Sequence, residues 1–326
     1  MSSPAMTTRY EEIRIRGKDT LVPAEEICGR TVIVTGRFLR RAQVMDEELV
    51  EGELIADPAP FVATLRRSQL RADLLTFAER PPQLTPRYDY RVEWDNWAVI
   101  PLSTYADWWE KRLPQEARKN ARRAAKRGVI VRTVPFDSEL VRGIQRIYNE
   151  TPVRQGRKFW HYGKDVDAVT RINETYKARS AFIGAFFEDE LIGFVKVVFA
   201  NGVGALMQIL SMNAHYDKRP MNALLAHTVQ ECIERRCSML VYGQYTYGSK
   251  SDSSLAEFKR RTGFEQLNFP RYYVPLTLKG RVAIAAGLHL GVQNLLPGPA
   301  AKVLLSSRAL YHRLRTRRAA ALSAES

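Results

Sequence analysis

The sequence predicts an α/β fold with a mixed β-sheet flanked by helices, and three observations support this. Three consecutive apolar runs of strand length, separated by polar turns, occupy residues 181–187, 191–199 and 203–212. A helical pattern, a strand pattern, a second helical pattern and a last strand follow, at residues 219–235, 239–245, 254–261 and after Gly263. A β-branched strand pattern also lies in the first third, at residues 31–35. Strands and helices in this order are typical of an α/β fold.

The first hundred residues predict a partial α/β unit. Residues 1–28 are polar and mixed, so we expect an irregular N-terminal arm. Four strands are expected, at residues 30–36, 48–55, 72–79 and 90–102. Prolines cut the region into short pieces, at positions 58, 60, 81, 82 and 86.

A strongly basic segment, residues 105–128, separates this unit from the second half of the chain. Trp108 and Ala117 give it an apolar side, Pro114 is expected to begin a second helix after a break, and Gly128 to end it. Its cations are Lys111, Arg112, Arg118, Lys119, Arg122, Arg123, Lys126 and Arg127. They either contact phosphates or form an ordinary solvated face. A strand at 128–131 and a helix at 138–150 are expected next.

The composition favours an anionic partner. The net charge is +15 and the isoelectric point is about 9.8, so a nucleic acid, an anionic membrane or a phosphate-rich small molecule fits equally well. The three cysteines lack zinc spacing and are expected to be reduced, which predicts a cytoplasmic protein. We expect no metal and no bound cofactor. With no apolar run of about 18 residues, we expect a soluble or peripheral protein. The last segment of the chain, residues 280–326, is a basic tail, and its residues 302–318 predict an amphipathic helix that contacts the inner membrane face.

Four polar residues near the ends of the third and fourth strands of the second half are candidate catalytic groups: Gln208, His215, Tyr242 and Gln244. Gln208 is expected on the sheet face opposite Ile209, and polar groups at the carboxyl end of a strand line clefts in open α/β sheets. His215 is either a general base or a solvated loop residue. The tyrosines of residues 240–248 either face a ligand or pack with their hydroxyls toward water.

The start of the long helix is a candidate phosphate site. Lys218 and Arg219 precede Pro220, and the free N–H groups of a helix start bind anions. The alternative is that both are ordinary cations flanking a helix. Asn222, in the first turn, and Ser254, at the start of the next helix, are further candidate contacts to a phosphate-bearing carrier.

Three motifs follow one another in the second half of the chain: RKNARRAAKRGV at 118–129, GAFFEDELIGF at 184–194 and SSLAEFKRRTGF at 253–264. In this order they resemble the FemAB-like and BioF2-like acyltransferases of the GNAT (acyl-CoA N-acyltransferase) superfamily. The resemblance spans residues 105–276. It implies a full GNAT-like unit at 133–279, preceded by a degenerate GNAT-like unit at 29–104, with 105–132 connecting them and 280–326 forming the basic tail.

The resemblance implies an N-acyltransferase that moves an acyl group from acyl-CoA to an amine of an amino sugar, an amino acid or a cell-envelope precursor. The activated carbonyl is expected in a cleft beside residues 203–212. Arg219 and Met221 stand where the superfamily has pyrophosphate-loop glycines, and Lys259 replaces its thiolate-protonating tyrosine. FemAB relatives that use aminoacyl-tRNA also lack those glycines, so aminoacyl-tRNA is the alternative donor. A non-catalytic basic module that binds an anionic membrane or nucleic acid is the third alternative.

Overall fold

The computed structural model describes residues 9–15, 18–154, 156–246 and 254–291. The first half contributes six strands: β1 (Arg9–Ile15), β2 (Lys18–Ile27), β3 (Arg30–Thr35), β4 (Arg41–Val44), β5 (Leu74–Ala78) and β6 (Arg91–Pro101). A short 3-10 helix, Glu47–Leu49, follows β4, and α1 (Pro58–Arg67) precedes β5. The Asp57 side chain caps α1 by accepting a hydrogen bond from the backbone N–H of Ala59.

The basic segment forms α2 (Tyr105–Asp107), a π-helix (Trp108–Arg112) and α3 (Gln115–Lys126). The elements that follow are β7 (Ile130–Val134), α4 (Ser138–Asn149), β8 (Val153–Arg154), β9 (Arg157–Lys158), α5 (Val166–Glu174) and a 3-10 turn, Lys177–Arg179. The last are β10 (Ser180–Phe187), β11 (Glu190–Ala200), β12 (Val203–Ser211), a 3-10 segment (Asn213–Lys218), α6 (Pro220–Glu234), β13 (Met239–Val241), α7 (Ser254–Arg261), β14 (Glu265–Pro275), α8 (Leu278–Ala285) and a 3-10 turn, Leu288–Leu290.

Twelve of these strands form one mixed sheet, in the order β1-β2-β3-β4-β5-β14-β6-β13-β12-β11-β10-β7. β14 is the last strand in sequence, yet it lies between β5 and β6, antiparallel to both. β13 joins β6 to β12 and is parallel to β12. The two halves of the chain therefore share one continuous sheet.

Helices cover both faces of the second half of the sheet. Leu224 and Val229 of α6 pack with Ile209 of β12 in one buried cluster, and the alanines of α3 close that layer from outside. Ile144 and Tyr148 of α4 belong to a second cluster, on the other side of the strands. The positions that alternate along β10, β11 and β12 divide between these two clusters, as the two-residue period of a strand requires.

The structure confirms the predicted α/β class with a mixed sheet flanked by helices, and most of the predicted elements. The irregular N-terminal arm is wrong for residues 9–15 and 18–27, which form β1 and β2. Ile13 and Ile15 of β1 alternate with charged residues and pack with Val22 and Ile33, so the apolar residues that mark β1 are isolated within a polar segment.

Two further strand predictions need correction. The strand predicted at 48–55 is wrong: Glu47–Leu49 is a 3-10 helix and residues 50–55 form no strand. The carbonyls of Glu51, Glu53 and Leu54 accept hydrogen bonds from the guanidinium of Arg30 instead of from a neighbouring strand. The strand predicted at 239–245 ends at Val241. No helix among the described residues is both long and apolar enough to cross a membrane. The amphipathic helix predicted at 302–318 lies outside the described residues.

Candidate active site

The strands β12 and β13 pair over only three positions and then separate. Parallel pairing joins residues 203–205 to residues 239–241. After that point β12 continues along β11 to Ser211, while the chain after β13 stays with β6. The N–H of Tyr242 donates to the carbonyl of Ala98 over 2.8 Å, and the N–H of Thr246 donates to Asn96 Oδ1 over 2.9 Å. The edge of β12 beyond Ala205, predicted to border a cleft, thus diverges from its neighbour.

A β-bulge lies in β12 at the beginning of this divergence. Gln208 pairs with Lys196 of β11, but the next pair joins Leu206 to Val197, so Met207 is the extra residue. A bulge bends its strand and redirects the side chains around it. Met207 is consequently exposed, while Gln208 lies on the face opposite Ile209, as predicted.

Gln208 belongs to a buried series of hydrogen-bonded polar side chains near the point where β12 and β13 diverge. Its Oε1 accepts a hydrogen bond from the hydroxyl of Tyr148 over 2.7 Å, and Asn173 Nδ2 donates to the same hydroxyl over 3.4 Å. Burial raises the pKa of Tyr148 to about 12, so the phenol remains a donor at neutral pH. The carbonyl of Asn173 in turn accepts from Lys196 Nζ over 2.8 Å.

Lys196 was missed by the sequence analysis. It lies at the centre of β11, is buried, and also donates to the carbonyl and hydroxyl of Thr175 over 2.6 and 2.8 Å. Burial lowers the pKa of Lys196 to about 8. The available signal was a lysine within the apolar run of residues 191–199, since a strand buried on both faces excludes an unpaired cation.

A second cluster joins Tyr242, Gln244 and Lys259, three of the predicted site residues. Lys259 of α7 is fully buried, and its Nζ donates to the backbone carbonyl of Gln244 over 2.5 Å. The same nitrogen lies 4.7 Å from the centre of the Tyr242 ring. Burial lowers the pKa of Lys259 to about 8. This cation therefore lies next to the segment that leaves β12.

The side chain of Gln244 lines a cavity of about 580 Å³ on the first half of the sheet. Its Nε2 donates to Asp95 Oδ1 over 3.0 Å, and Asp95 Oδ2 accepts from Arg271 Nε over 2.8 Å. Arg271 also forms an ion pair with Glu47. Burial opposes the charge of Arg271, but these two carboxylates outweigh it and raise the pKa of the guanidinium. Other lining residues are Arg14, Gln43, Thr76, Trp94 and Tyr273.

Asp95, Arg271 and Glu47 were missed by the sequence analysis. Asp95 and Arg271 are 176 residues apart, and no local pattern connects them. They meet because β14 pairs with β6 from Glu265 to Tyr273. Glu47 Oε2 is buried and has no hydrogen-bond partner among the described residues, so one carboxylate oxygen of the cavity is free to accept a donor.

The start of α6 lies at a different place, beside the turn between β10 and β11. Arg219 has a left-handed backbone (φ 60°), and its guanidinium lies 4.9 Å from the centre of the Tyr216 ring. Lys218 Nζ lies 4.5 Å from the centre of the Phe187 ring. The imidazole of His215, a candidate base, lies tilted against this same ring, with 5.8 Å between the ring centres, and its Nε2 lies 3.9 Å from Glu190.

The two remaining carrier-binding candidates are placed as follows. Asn222 is half-buried in the first turn of α6, and its N–H donates to the carbonyl of Arg219 over 3.2 Å. Ser254 is exposed at the beginning of α7. The basic face of α3 reaches this region too, because Arg127 forms an ion pair with Asp217 at 3.5 Å. Two groups of candidates thus exist, one at the strand divergence and one at the α6 start.

His161 is buried among the aromatic rings of Tyr148, Phe159 and Trp160. The centre of its imidazole lies 4.0 Å from that of the Tyr148 ring, and its Nδ1 has no hydrogen-bond partner among the described residues. Burial, aided by Arg14 and Lys164, lowers the pKa of His161 to about 3, so the ring is neutral at physiological pH. No three His, Cys, Asp or Glu side chains in the described ranges are grouped to hold a metal ion.

The fold is similar to that of two solved structures. FemX superposes with a TM-score of 0.55 at 10% identity, covering 86% of this chain and 90% of FemX. L-PGS from Bacillus licheniformis superposes with a TM-score of 0.53 at 15% identity, covering 77% of this chain and 83% of L-PGS. No family model and no curated protein matches the sequence. The chain therefore shares the fold of FemX and L-PGS, in agreement with the predicted resemblance to FemAB-like proteins.

Proposed function

We propose that this protein, with its FemAB-type fold, transfers an acyl or aminoacyl group from an activated carrier to an amine. One observation carries the proposal: β12 and β13 diverge after three paired positions, and the buried cation of Lys259 lies against the strand that leaves. An acyl carbonyl placed in the divergence meets the β12 edge on one side. On the other side it meets the segment from Tyr242 to Gln244.

The chemistry needs donors for the oxygen of the tetrahedral intermediate and an amine without its proton. The edge of β12 between Leu206 and Ser211 offers backbone N–H groups on the side where β13 has left. The Met207 bulge changes the direction of these groups, which is common beside active sites. In the proposed arrangement they hydrogen-bond the developing oxyanion.

Lys259 supplies positive charge to the departing group. Its ammonium is fully buried and held by the carbonyl of Gln244, so it is desolvated and fixed in place before reaction. Because the pKa is about 8, the group is mostly protonated at neutral pH and still able to release a proton. A leaving thiolate or alkoxide would receive either charge compensation or this proton.

The amine acceptor is proposed to enter through the cavity beside Gln244. Glu47 and Asp95 provide carboxylates there, and Glu47 Oε2 is buried without a partner. A carboxylate that lacks a donor attracts an ammonium or hydroxyl group. An acceptor such as an amino sugar, an amino acid or a cell-envelope precursor carries both kinds of group.

Acyl-CoA is the proposed donor, with its phosphates near Lys218, Arg219 and Asn222. A helix start favours anions, and the two cations precede α6 directly. Aminoacyl-tRNA is the second candidate, because Arg127 brings the cationic face of α3 to the same place. Several cations on neighbouring elements suit a polyanion better than a single pyrophosphate.

A thermal-shift screen with a panel of acyl-CoAs and charged tRNAs tests the donor, followed by mass spectrometry of amine acceptors for the added acyl mass. A rise in melting temperature with one donor class and a product of the matching mass would support the proposal. Equal responses to acyl-CoA and to free adenosine phosphates, with no product, would support the non-catalytic basic module. Contact of residues 302–318 with a membrane is tested separately, by vesicle binding of a chain that ends at Gly291.

A further inference from the structure

Helix α8 packs on the protein with its smallest residues. Gly280 and Ala283 are its buried positions, and a Cβ at Gly280 would lie 2.1 Å from the carbonyl oxygen of Asp73. This close approach requires glycine and leaves no room for a large side chain underneath. The large apolar residues of the helix therefore lie outside: Leu278 is 76% exposed and Val282 is 59% exposed.

A third apolar side chain extends this exposed face. Phe38, in the turn between β3 and β4, is 77% exposed. Lys279 connects the turn to α8, because its ammonium donates to the carbonyl of Phe38 and lies 4.7 Å from the centre of the phenyl ring. Leu278 and Val282 are one helical turn apart, and Lys279 links Phe38 to the same helix. We group these three exposed side chains as the α8 patch.

The chain segments around the α8 patch are predominantly cationic. The patch is built from residues 36–41 and 277–286, and residues 66–73 join them through the ion pair of Asp73 with Lys279 and the hydrogen bond from Arg66 to the carbonyl of Pro275. These three segments hold eight arginines and lysines and a single carboxylate, Asp73, which is itself paired. An apolar centre within a cationic surround is complementary to an anionic lipid leaflet.

We infer that the α8 patch binds the surface of an anionic membrane. Phe38, Leu278 and Val282 enter the boundary between headgroups and acyl chains, while the arginines and lysines around them contact the lipid phosphates. Binding by such a surface scales with its buried apolar area and with the negative charge of the lipid, and added salt weakens it. This inference concerns a different surface from the proposed catalytic site and does not depend on it.

The test is co-sedimentation of the full chain with vesicles of phosphatidylcholine alone or with an equal part of phosphatidylglycerol. We expect binding to the anionic vesicles only, and weaker binding at high salt.

The triple variant Phe38→Ser, Leu278→Ser, Val282→Ser should bind at least about tenfold more weakly. The matched control Tyr10→Ser, Leu21→Ser, Ile130→Ser removes side chains that are 64%, 65% and 65% exposed elsewhere, and should bind like the wild type. Thermal melting checks that both variants fold.

Three outcomes would overturn the inference. In the first, the wild type fails to bind anionic vesicles. In the second, the triple variant binds them as well as the wild type does, which assigns binding to another part of the chain. Alternatively, light scattering shows a wild-type dimer that the triple variant loses, with no vesicle binding by either, which makes the patch an interface between copies.

Discussion

The ammonium of Lys259 donates a hydrogen bond to the backbone carbonyl of Gln244 over 2.5 Å. The side chain of that same glutamine donates to Asp95 in the cavity. One residue therefore connects the buried cation beside the β12–β13 divergence to the cavity proposed for the acceptor. The first predictions concern the two ends of this connection.

Replacement of Lys259 by methionine should separate activity from stability. Methionine is similar in length to lysine but carries no charge, so the variant loses only a desolvated cation and its melting temperature should stay close to that of the wild type. Transfer activity should fall about 100-fold or more. Lys196→Met is the matched control, because Lys196 is also buried with a pKa lowered to about 8. The control should lose more stability than Lys259→Met, since three hydrogen bonds of Lys196 hold residues 173–175. Equal losses of activity in both variants would contradict a special role for Lys259.

The pH dependence of kcat/KM should contain a limb from Lys259. Because burial lowers the pKa to about 8, the cation is present below pH 8 and disappears as the pH rises through that value. Activity should consequently decline above about pH 8. Lys259→Arg keeps a charge that does not titrate in this range, so the decline should move to higher pH even if the rate is lower. A profile of Lys259→Arg identical in shape to that of the wild type would assign the limb to another group.

Removal of the Gln244 side chain should affect the acceptor more than the fold. Gln244→Ala deletes one hydrogen bond to Asp95, which retains Arg271 and the N–H of Asn96 as donors, so the loss of stability should be about 1 kcal/mol. We expect kcat/KM for the amine to fall about 10-fold or more, with the KM for the donor unchanged. Gln266→Ala on β14, which deletes a hydrogen bond between exposed side chains, is the control and should leave both constants unchanged. Parallel losses of stability and activity would indicate packing.

Charge reversal at the start of α6 should weaken donor binding. Arg219→Glu places a carboxylate where carrier phosphates are proposed, so the KM for the donor should rise about 10-fold or more. Arg236→Glu is a close control, because Arg236 has the same left-handed backbone (φ 59°) just after the other end of the same helix. An unchanged donor KM in Arg219→Glu, or an equal increase in both variants, would remove the phosphate site from this helix start.

His161 should make the fold sensitive to mild acid. Its folded-state pKa is about 3 and the unfolded value is about 6.5, so below pH 6.5 only the unfolded chain binds the proton. Stability is therefore lost as the pH falls through this window, by about 2 kcal/mol between pH 6.5 and pH 5. His161→Phe should reduce this loss, as measured by urea unfolding at both pH values. Trp160→Phe, a change at a neighbouring ring without a titrating group, should retain it.

The second half of the fold was predictable because its signals are local. Polar turns at Asp189 and Asn201 separate apolar runs, and the structure has strands between them. Helix α7 begins at Ser254, as predicted. β1 escaped prediction because its apolar residues are spaced among charges, and β2 because its short apolar run, 21–24, contains Pro23. The carbonyls of Glu51, Glu53 and Leu54 accept hydrogen bonds from Arg30, a contact between distant residues that no local pattern predicts. Of the candidate site residues, Tyr242, Gln244 and Lys259 lie together, while His215, Lys218 and Arg219 lie beside the β10–β11 turn.

The sequence by itself determined the order of the helices and strands between residues 180 and 275, the faces that these elements bury and the excess of positive charge. Each of these depends on residues within a few positions of one another. Only the tertiary structure decided that Gln244, Asp95 and Arg271 meet, across separations of 149 and 176 residues. The physical reason is that β14 inserts between β5 and β6, and β13 between β6 and β12. Such pairings are chosen by the packing of the whole sheet, since periodicity along a strand records which face is buried and carries no information about which strand lies beside it.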